Sequence, residues 1–373
     1  MFPPKVVGII GNHGQMAENV VKPFFTGTGC QIIGSDLRNP QGLNNQEVVE
    51  RADIVYFSIL PISRVAPAIR ELIPFGRPDT SWLHGTSIQN PVSGSIIAAM
   101  NDKRLLARGV CTGFLHFMVG PMIRSLRGQS IVYGFLNEHD RRDDWKNWLV
   151  TQLQTKRPIL IECSPESHDA LTTESQIIPM LTALLAGQLW RQQDVSLSDA
   201  LQVAGPPCWL QTYGILRNLG QSKVIAEILV NHPHTREVVE AAKTTLHEIE
   251  EACRNNAIEK LARTAREGLT VISEEKLAEI KRTTDWHIRL EGDLRGGAVC
   301  FVFSQSQNKL GLLTSVLRTF DQHQLDKTSC MAQELPDGSC RFYIGLKEIT
   351  HPNVRKACEQ VVADFGGEIL VEP

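Results

Sequence analysis

The chain has 373 residues, of which 42% are hydrophobic and 21% are charged, so it is long enough for two or three domains with sizeable cores. The formal net charge of -3 argues against a nucleic-acid partner, because no basic excess is present to neutralise phosphates. Nine cysteines occur without a CxxC pair, which predicts neither a disulfide framework nor a zinc site. No segment has the pattern of a signal peptide or of a membrane span, so we expect a cytoplasmic protein that uses no metal.

The first segment has the pattern of a dinucleotide-binding βαβ unit. An apolar run at residues 5–10 precedes a glycine turn, and a second β-rich run follows at residues 31–36. The turn consists of Gly11, Asn12, His13, Gly14, Gln15 and Met16. In the dinucleotide fingerprint Asn12 takes the first glycine place, where asparagine tolerates a left-handed conformation, and Gly14 takes the second, where a side chain would block the pyrophosphate. Asp36 ends the second run, at the place of the acid that binds the ribose 2′-hydroxyl, which predicts NAD rather than NADP.

Further strands are predicted at residues 54–58, 82–83, 110–116, 129–133 and 158–161, with a helix at 141–154. This order predicts an α/β fold with a Rossmann-like, doubly wound sheet. Ligands bind at the carboxyl ends of the strands in such folds. The rule gives further candidates for the cofactor cleft, which are Ser58, Ile59, Leu60, Thr86 and Ser87. Capping of a helix that begins near Pro91 is the alternative role for Ser87.

His116 lies between apolar residues, shortly before the break at Gly120-Pro121. Because imidazole titrates near neutrality, a histidine beside a nicotinamide ring can accept a proton as hydride leaves. The alternative is a buried structural histidine that satisfies a loop carbonyl. The stretch by itself favours the structural role.

Several motifs together resemble the prephenate/arogenate dehydrogenase family. Besides the glycine turn, they are Ser58-Ile59-Leu60-Pro61, Thr86-Ser87-Ile88-Gln89, Leu115-His116-Phe117-Met118-Val119-Gly120-Pro121, Gln129-Ser130-Ile131-Val132 and Ser164-Pro165-Glu166-Ser167-His168-Asp169. The resemblance covers roughly residues 5–290. It implies that His116 is the catalytic base and that Ser87 hydrogen-bonds both the substrate hydroxyl and this histidine.

Three positions depart from the family pattern. Trp209 stands where an arginine usually binds a substrate carboxylate, Met180 stands at a second histidine place, and Gln89 follows the Thr-Ser element in place of lysine. An indole cannot replace the donor fork of a guanidinium. Either Arg217 supplies the positive charge, or the substrate differs from prephenate. Candidates for substrate contact are therefore Gln129, His168, Trp209 and Arg217, with capping or packing as the alternative for His168.

The region after residue 164 changes to helical periodicity, with predicted breaks at Pro233 and Gly268. The resemblance implies an all-helical domain that forms a homodimer. His232, His234, His247 and His287 lie on polar stretches and are expected at the surface. Residues 292–297, which include Gly296-Gly297, are predicted to be a linker.

The tail has the order strand, helix, strand, strand, helix, strand, which predicts a ferredoxin-like βαββαβ unit. It resembles an ACT regulatory domain, in which Asn308, Gly311 and Leu312 would bind a small amino acid at a helix N-terminus. Tyrosine is the expected effector, and a purely oligomerising module is the alternative. The predicted domains are residues 1–163 (NAD binding), 164–293 (helical) and 297–373 (ACT-like).

These features favour an NAD-dependent prephenate dehydrogenase of tyrosine biosynthesis, which forms 4-hydroxyphenylpyruvate. The same chemistry on arogenate or 4-amino-4-deoxyprephenate is the nearest alternative. A catalytically silent sensor of NAD and an aromatic amino acid is an alternative of another class.

Overall fold

The structure is a computed structural model, which describes residues 3–100, 110–121, 123, 125–136, 142–193, 196–335 and 337–371. The chain folds into two compact units. The first comprises Met1–Leu189 and Ile215–Leu246, and the second comprises Trp190–Gly214 and His247–Pro373.

Seven strands form the sheet of the first unit. They are β1 (Val6–Ile10), β2 (Gln31–Ser35), β3 (Ile54–Phe57), β4 (Ser81–His84), β5 (Cys111–Phe117), β6 (Ser130–Phe135) and β7 (Ile159–Glu162). Their spatial order is β2-β1-β3-β4-β5-β6-β7. Strands β1 to β5 are parallel, β6 is antiparallel to β5, and β7 is parallel to β6. Each strand predicted in this region is confirmed to within two residues at either end.

Helices cover this sheet and make up most of the following region. The described α-helices before the tail are α1 (Lys22–Thr26), α2 (Asn45–Arg51), α3 (Val65–Leu72), α4 (Asn90–Met100), α5 (Arg142–Gln154), α6 (Pro165–Thr172), α7 (Ile178–Gln192), α8 (Leu197–Val203), α9 (Pro206–Leu219), α10 (Ser222–Asn231), α11 (Thr235–Arg254), α12 (Ile258–Gly268) and α13 (Glu274–Gly297). Shorter π-helical segments are Ala17–Val21 and Thr173–Ile177, and 3-10 segments are Ile62–Arg64, Ile73–Phe75 and Leu269–Val271. None of the described helices is both long and apolar enough to cross a membrane.

Strand β3 shows why the sheet is buried on both faces. Its side chains alternate, so that Val55 and Phe57 belong to one hydrophobic core while Ile54 and Tyr56 belong to another. A strand covered by helices on both sides needs apolar residues at every position, and all four are buried. The continuous apolar runs in the sequence therefore predicted central parallel strands correctly.

The order of the strands creates a crevice beside β1. The chain passes from β1 to β2 on one side and then returns to β3 on the other side. Connections that leave a sheet in opposite directions open a ligand crevice at the carboxyl ends of the strands. Gly11 follows β1 and Ser58 follows β3 at this edge, and His116 lies near the carboxyl end of β5.

The second unit contains a four-stranded antiparallel sheet. Its elements are β8 (Val299–Phe303), α14 (Leu312–Gln322), β9 (Lys327–Glu334), β10 (Cys340–Leu346), α15 (Asn353–Phe365) and β11 (Glu368–Val371). The strand order β11-β8-β10-β9 and this succession of strands and helices match the predicted βαββαβ arrangement. Phe301, Phe303 and Phe320 lie at the centre of its core.

The linker predicted at residues 292–297 is wrong. Helix α13 continues through these residues and ends at Gly297, whose φ of +107° is in the left-handed region. Gly292 and Gly296 have open space where a Cβ atom would lie. The helix tolerates them because each interior glycine costs only about 1 kcal/mol.

Candidate functional site

The glycine turn joins β1 to the first helical segment and closes tightly on β3. The backbone N–H groups of Gly11 and Asn12 donate to the Ser35 carbonyl at 2.8 and 3.1 Å. Gly11 has a φ of +83°, and a Cβ atom there would lie 2.4 Å from the Ser58 carbonyl oxygen. The left-handed residue of the turn is therefore Gly11, and the prediction that gave this conformation to Asn12 is wrong.

Asn12 and Gly14 line the turn in ways that suit a bound dinucleotide. A Cβ atom on Gly34 would lie 2.4 Å from Asn12 Nδ2, so Asn12 is tightly packed against β2. Its Oδ1 is buried and has no hydrogen-bond partner among the described residues. At Gly14 a Cβ atom would meet only the Gly11 carbonyl at 3.3 Å and the Ser58 carbonyl at 3.8 Å. Gly14 therefore leaves room for close approach by a ligand.

Asp36 follows β2 and carries a negative charge at the same edge. Its carboxylate accepts hydrogen bonds from the backbone N–H groups of His13 at 3.0 Å and Arg38 at 2.9 Å. Partial burial is the largest influence and raises the pKa of Asp36, but these two hydrogen bonds and the nearby positive charges outweigh it, so the pKa is lowered overall. An ionised carboxylate with unused lone pairs suits a ribose diol. Arg38 Nη1 in turn donates to the His13 carbonyl at 3.1 Å.

The candidates that follow β3 and β4 differ in their availability to a ligand. Ser58 donates its backbone N–H to the Ile10 carbonyl at 2.9 Å, and Leu60 is 62% exposed. Thr86 is buried and donates its hydroxyl to the Ile88 carbonyl at 2.7 Å. The described residues contain no hydrogen bond between Ser87 and His116. Ser87 and Ile59 are partly buried.

His116 begins a chain of buried hydrogen bonds. Its Nδ1 lies 2.9 Å from His168 Nε2, and His168 Nδ1 lies 3.0 Å from Asp169 Oδ1. His116 is 5% exposed. Burial, together with the neighbouring His168 and His84, lowers the pKa of His116 to about 3. The ring is therefore neutral at pH 7 and has a lone pair on one nitrogen.

Asp169 is the buried anion of this cluster. Its two carboxylate oxygens accept the backbone N–H groups of Gln89 and Asn90, each at 2.8 Å. Burial is the largest influence and raises its pKa, but the hydrogen bonds from His168, Gln89 and Asn90 prevail and lower it. The start of α4 is thus capped by Asp169, whereas the sequence offered Ser87 for this role.

His168 has no surface left for a substrate, because its side chain is fully buried. Ser164 caps helix α6 by accepting the Ser167 N–H, so of the two structural roles considered for His168, capping and packing, the contacts fit packing. His168 instead lies inside the helix and packs edge-on against Phe114, with ring centroids 5.9 Å apart.

Two further histidines belong to this region and were not predicted there. His84, at the end of β4, is fully buried. Its Nδ1 forms a hydrogen bond with Thr86 Oγ1 at 2.9 Å. Burial is the main reason that its pKa falls to about 3. His232, expected at the surface, is only 4% exposed and lies 3.2 Å from Thr172 Oγ1. The position of His84 at a strand end was the one signal in the sequence that could have indicated this site.

The remaining candidates for substrate contact are one cation, Arg217, and two neutral side chains, Trp209 and Gln129. A Cβ atom on Gly120 would lie 3.4 Å from Arg217 Nη2, so this guanidinium reaches the loop that follows His116. Arg217 belongs to the first unit, as does His116. Trp209 belongs to the second unit, and its indole N–H donates to the Leu201 carbonyl at 2.9 Å. Gln129 directly precedes β6 and is partly buried.

The fold is shared with solved dehydrogenase structures. The chain is similar to an arogenate dehydrogenase from Synechocystis, with 15% identity, a TM-score of 0.51, and coverage of 70% of this chain and 96% of that chain. It is also similar to a prephenate dehydrogenase from Aquifex aeolicus in complex with hydroxyphenyl propionate and NAD+, with 16% identity, a TM-score of 0.55, and coverage of 75% and 98%. No family model and no curated protein matches the sequence. At these identities the similarity establishes the fold.

Proposed function

We propose that this chain is an NAD-dependent dehydrogenase that converts prephenate to 4-hydroxyphenylpyruvate by oxidative decarboxylation. The observation that carries the proposal is the position of His116, a neutral buried imidazole near the carboxyl edge of the sheet that bears the glycine turn. A fold shared with prephenate and arogenate dehydrogenases supports it.

The residues of the glycine turn fit NAD. Gly11 allows the turn to close on the strand that ends at Phe57, Gly14 leaves the backbone open to the pyrophosphate, and the buried Asn12 Oδ1 offers an acceptor that no described residue uses. Asp36 would accept hydrogen bonds from the ribose hydroxyls and would repel a 2′-phosphate. The surrounding candidates are His13, Gln15, Met16, Ser58, Ile59, Leu60 and Thr86. When bound, NAD supplies the acceptor for the hydride.

The chain's own contribution to the chemistry is general base catalysis. His116 would accept the proton of the substrate hydroxyl while the adjacent ring carbon loses its hydride. Loss of carbon dioxide then makes the ring aromatic, and the proton can return to the new phenol oxygen. Ser87 would hydrogen-bond the same hydroxyl. Because burial lowers the pKa of His116 to about 3, the ring has a free lone pair at neutral pH, and it would hold an accepted proton only weakly.

A substrate with two carboxylates also needs positive charge. Arg217 is exposed and close to the Gly120 loop, so we propose that it binds the carboxylate that Trp209 cannot bind. Gln129, at the start of β6, is the proposed neutral contact. We do not assign a substrate contact to His168, whose side chain is fully buried.

A substrate panel tests the proposal. NADH absorbance is followed with prephenate, arogenate and 4-amino-4-deoxyprephenate, for the wild type and for His116→Asn. We expect turnover of prephenate, and a loss of roughly 100- to 10,000-fold in kcat for the variant, with NAD binding retained. A variant that keeps most of the wild-type rate would show that His116 is not the base.

The position of Trp209 motivates the alternatives. Its indole N–H is already used by the Leu201 carbonyl, so a substrate with a different charge pattern is the second candidate. Turnover of arogenate or of the amino-substituted compound but not of prephenate would support that candidate. NAD binding without turnover of any of the three would support the silent sensor.

The tail unit is proposed to be an ACT-like regulatory domain. An open concavity of about 380 Å³ lies at the start of α14 and is lined by Asn308, Gly311, Leu312 and Phe342, among others. Gly311 precedes the helix with a φ of +87°, so the start of the helix lies at this concavity, as in the proposed mode of carboxylate binding. Tyrosine is the proposed effector. Unchanged activity and melting temperature across a tyrosine titration would refute this part.

We also propose a homodimer. The helical segments expose large apolar side chains, which include Val203, Ile258, Val271 and Trp286. Such residues are often buried between subunits. Light scattering during size-exclusion chromatography measures the mass directly, and a monomer at micromolar concentration would contradict this assignment.

A further inference from the structure

We propose that Asp169, acting through His168, is a positioning residue that fixes which ring nitrogen of His116 carries the proton. The inference rests on the proposed role of His116 as the base. It concerns residues that do not touch the substrate, because His168 and Asp169 have almost no exposed side-chain surface.

The assignment of protons starts at Asp169. An ionised carboxylate can only accept hydrogen bonds, and Asp169 accepts three, from the Gln89 N–H, the Asn90 N–H and His168. The proton between Asp169 Oδ1 and His168 Nδ1 must therefore belong to the histidine. A neutral His168 then has its lone pair on Nε2.

The next hydrogen bond transfers this constraint to His116. His116 Nδ1 lies 2.9 Å from His168 Nε2, and two lone pairs facing each other at that distance would repel. Because His168 Nε2 accepts, His116 Nδ1 must carry the proton and donate it. The lone pair of His116 is consequently on Nε2, which is the nitrogen left free to accept a proton from a substrate.

The surroundings hold His168 in this orientation. Phe114 packs edge-on against its ring, and the Thr172 hydroxyl donates to the backbone carbonyl of His168 at 3.0 Å. His232 Nδ1 accepts a hydrogen bond from the backbone N–H of His234. The proton of the His232 ring is therefore on Nε2, which donates to Thr172 Oγ1 at 3.2 Å. When His168 carries a single ring proton, each proton in this part of the network thus has one consistent place.

Fixing the tautomer matters because both neutral forms of a free imidazole are populated. Only the form with the lone pair on Nε2 can accept the substrate proton in this site. The equivalent arrangement in serine proteases, where a buried aspartate orients the catalytic histidine, loses about 10,000-fold in kcat when asparagine replaces the aspartate. Asparagine has one acceptor oxygen for the three donors that Asp169 binds, so it no longer fixes the hydrogen bond to His168.

Histidine-selective 15N labelling of the full chain tests the inference without substrate. Long-range 1H–15N spectra distinguish the protonated from the unprotonated ring nitrogen, and His116→Asn assigns the His116 signals. We expect Nδ1 of His116 to be protonated in the wild type and both ring tautomers to be populated in Asp169→Asn, whose single acceptor oxygen cannot serve all three donors. A wild-type His116 protonated on Nε2, or a His168 protonated on both nitrogens at pH 7, would overturn the inference.

Kinetics give the second readout. We expect kcat of Asp169→Asn to fall by roughly 100- to 10,000-fold, while KM and the Kd for NAD stay within about threefold. Asn44→Ala is the matched control, since Asn44 caps α2 through the Glu47 N–H and its loss also removes a helix cap. A kcat of Asp169→Asn close to that of Asn44→Ala would also overturn the inference. If Asp169→Asn does not fold, the wild-type spectrum still decides. If the wild type turns over none of the three substrates of the panel, the proposed function is refuted. The 1H–15N spectrum of the wild type still tests the tautomer of His116 in that case.

Discussion

Replacing Gly14 with alanine separates a cofactor-binding role of the glycine turn from a structural one. The φ of Gly14 is outside the left-handed region, so alanine can adopt the same backbone. Its methyl group would lie 3.3 Å from the Gly11 carbonyl oxygen, a contact that a shift of a few tenths of an ångström relieves. We expect the free energy of unfolding to change by less than about 1 kcal/mol.

The effect on NAD should be much larger. The methyl group would fill the space through which the pyrophosphate approaches the backbone, and at least one charged hydrogen bond would be lost. Such a bond contributes about 1.5–3 kcal/mol, which corresponds to roughly 10- to 150-fold in Kd. Isothermal titration calorimetry measures the Kd for NAD, and urea unfolding without ligand measures stability.

Two other glycines provide the comparison. Gly11→Ala combines a φ of +83° with a 2.4 Å approach to the Ser58 carbonyl, so it should reduce both stability and NAD affinity. Gly29→Ala has a φ of +82° with nothing within 4 Å, so it should reduce stability alone. A folded Gly14→Ala protein that binds NAD within about twofold of the wild type would refute the assignment of this turn to the cofactor.

Three other substitutions test neighbouring assignments. Arg217→Gln should raise KM for the substrate roughly tenfold with little change in kcat, because Arg217 would stabilise the bound substrate and the transition state equally. Arg236→Gln, at an exposed arginine, is the control. Equal KM values for Arg217→Gln and Arg236→Gln would contradict the proposed role of Arg217. Asp36→Asn should narrow the preference for NAD over NADP in steady-state assays, and an unchanged preference would contradict its contact with the ribose. His84 has its pKa lowered to about 3 when folded, whereas the unfolded chain binds the proton near pH 6.5. Stability should therefore fall as the pH drops below about 6.5, by up to about 1.4 kcal/mol per pH unit from this residue. Urea unfolding measures the free energy of unfolding at pH 7.0 and 5.5. This free energy should fall less between the two pH values for His84→Gln than for the wild type or for the exposed control His247→Gln. Equal decreases in all three proteins would count against a neutral buried His84.

The strands were predictable because their signals are local. A buried parallel strand needs an unbroken apolar run, and residues 54–57 supply one that ends before Ser58. The tail was equally predictable, because its order of strand, helix, strand, strand, helix and strand matches the observed succession of elements. Glycine was the less reliable signal. Near the end of α13 only Gly297 stops the helix, because open space surrounds Gly292 and Gly296 and the helix can continue through them.

The hydrogen-bond chain of the site could not be predicted in this way. His116 and His168 are 52 residues apart, and Gln89 and Asp169 are 80 residues apart. Periodicity describes which face of an element is buried, and it carries no information on which buried polar groups pair across elements. His232 shows the limit clearly, since its polar neighbours in the sequence indicated the surface while its own ring is buried.

Asp169 connects the two halves of the proposed catalytic site. Ser87 lies in the connection after β4 and His116 lies within β5, and the described residues contain no hydrogen bond between them. Directly after Ser87, however, the N–H groups of Gln89 and Asn90 bind the Asp169 carboxylate. The same carboxylate orients His168 and, through it, His116. One buried anion therefore determines both the position of the loop that carries the serine and the orientation of the base. The loss of that anion should disturb the geometry of Ser87 and the protonation of His116 together, which is why Asp169→Asn should lower kcat far more than the loss of the α2 cap in Asn44→Ala.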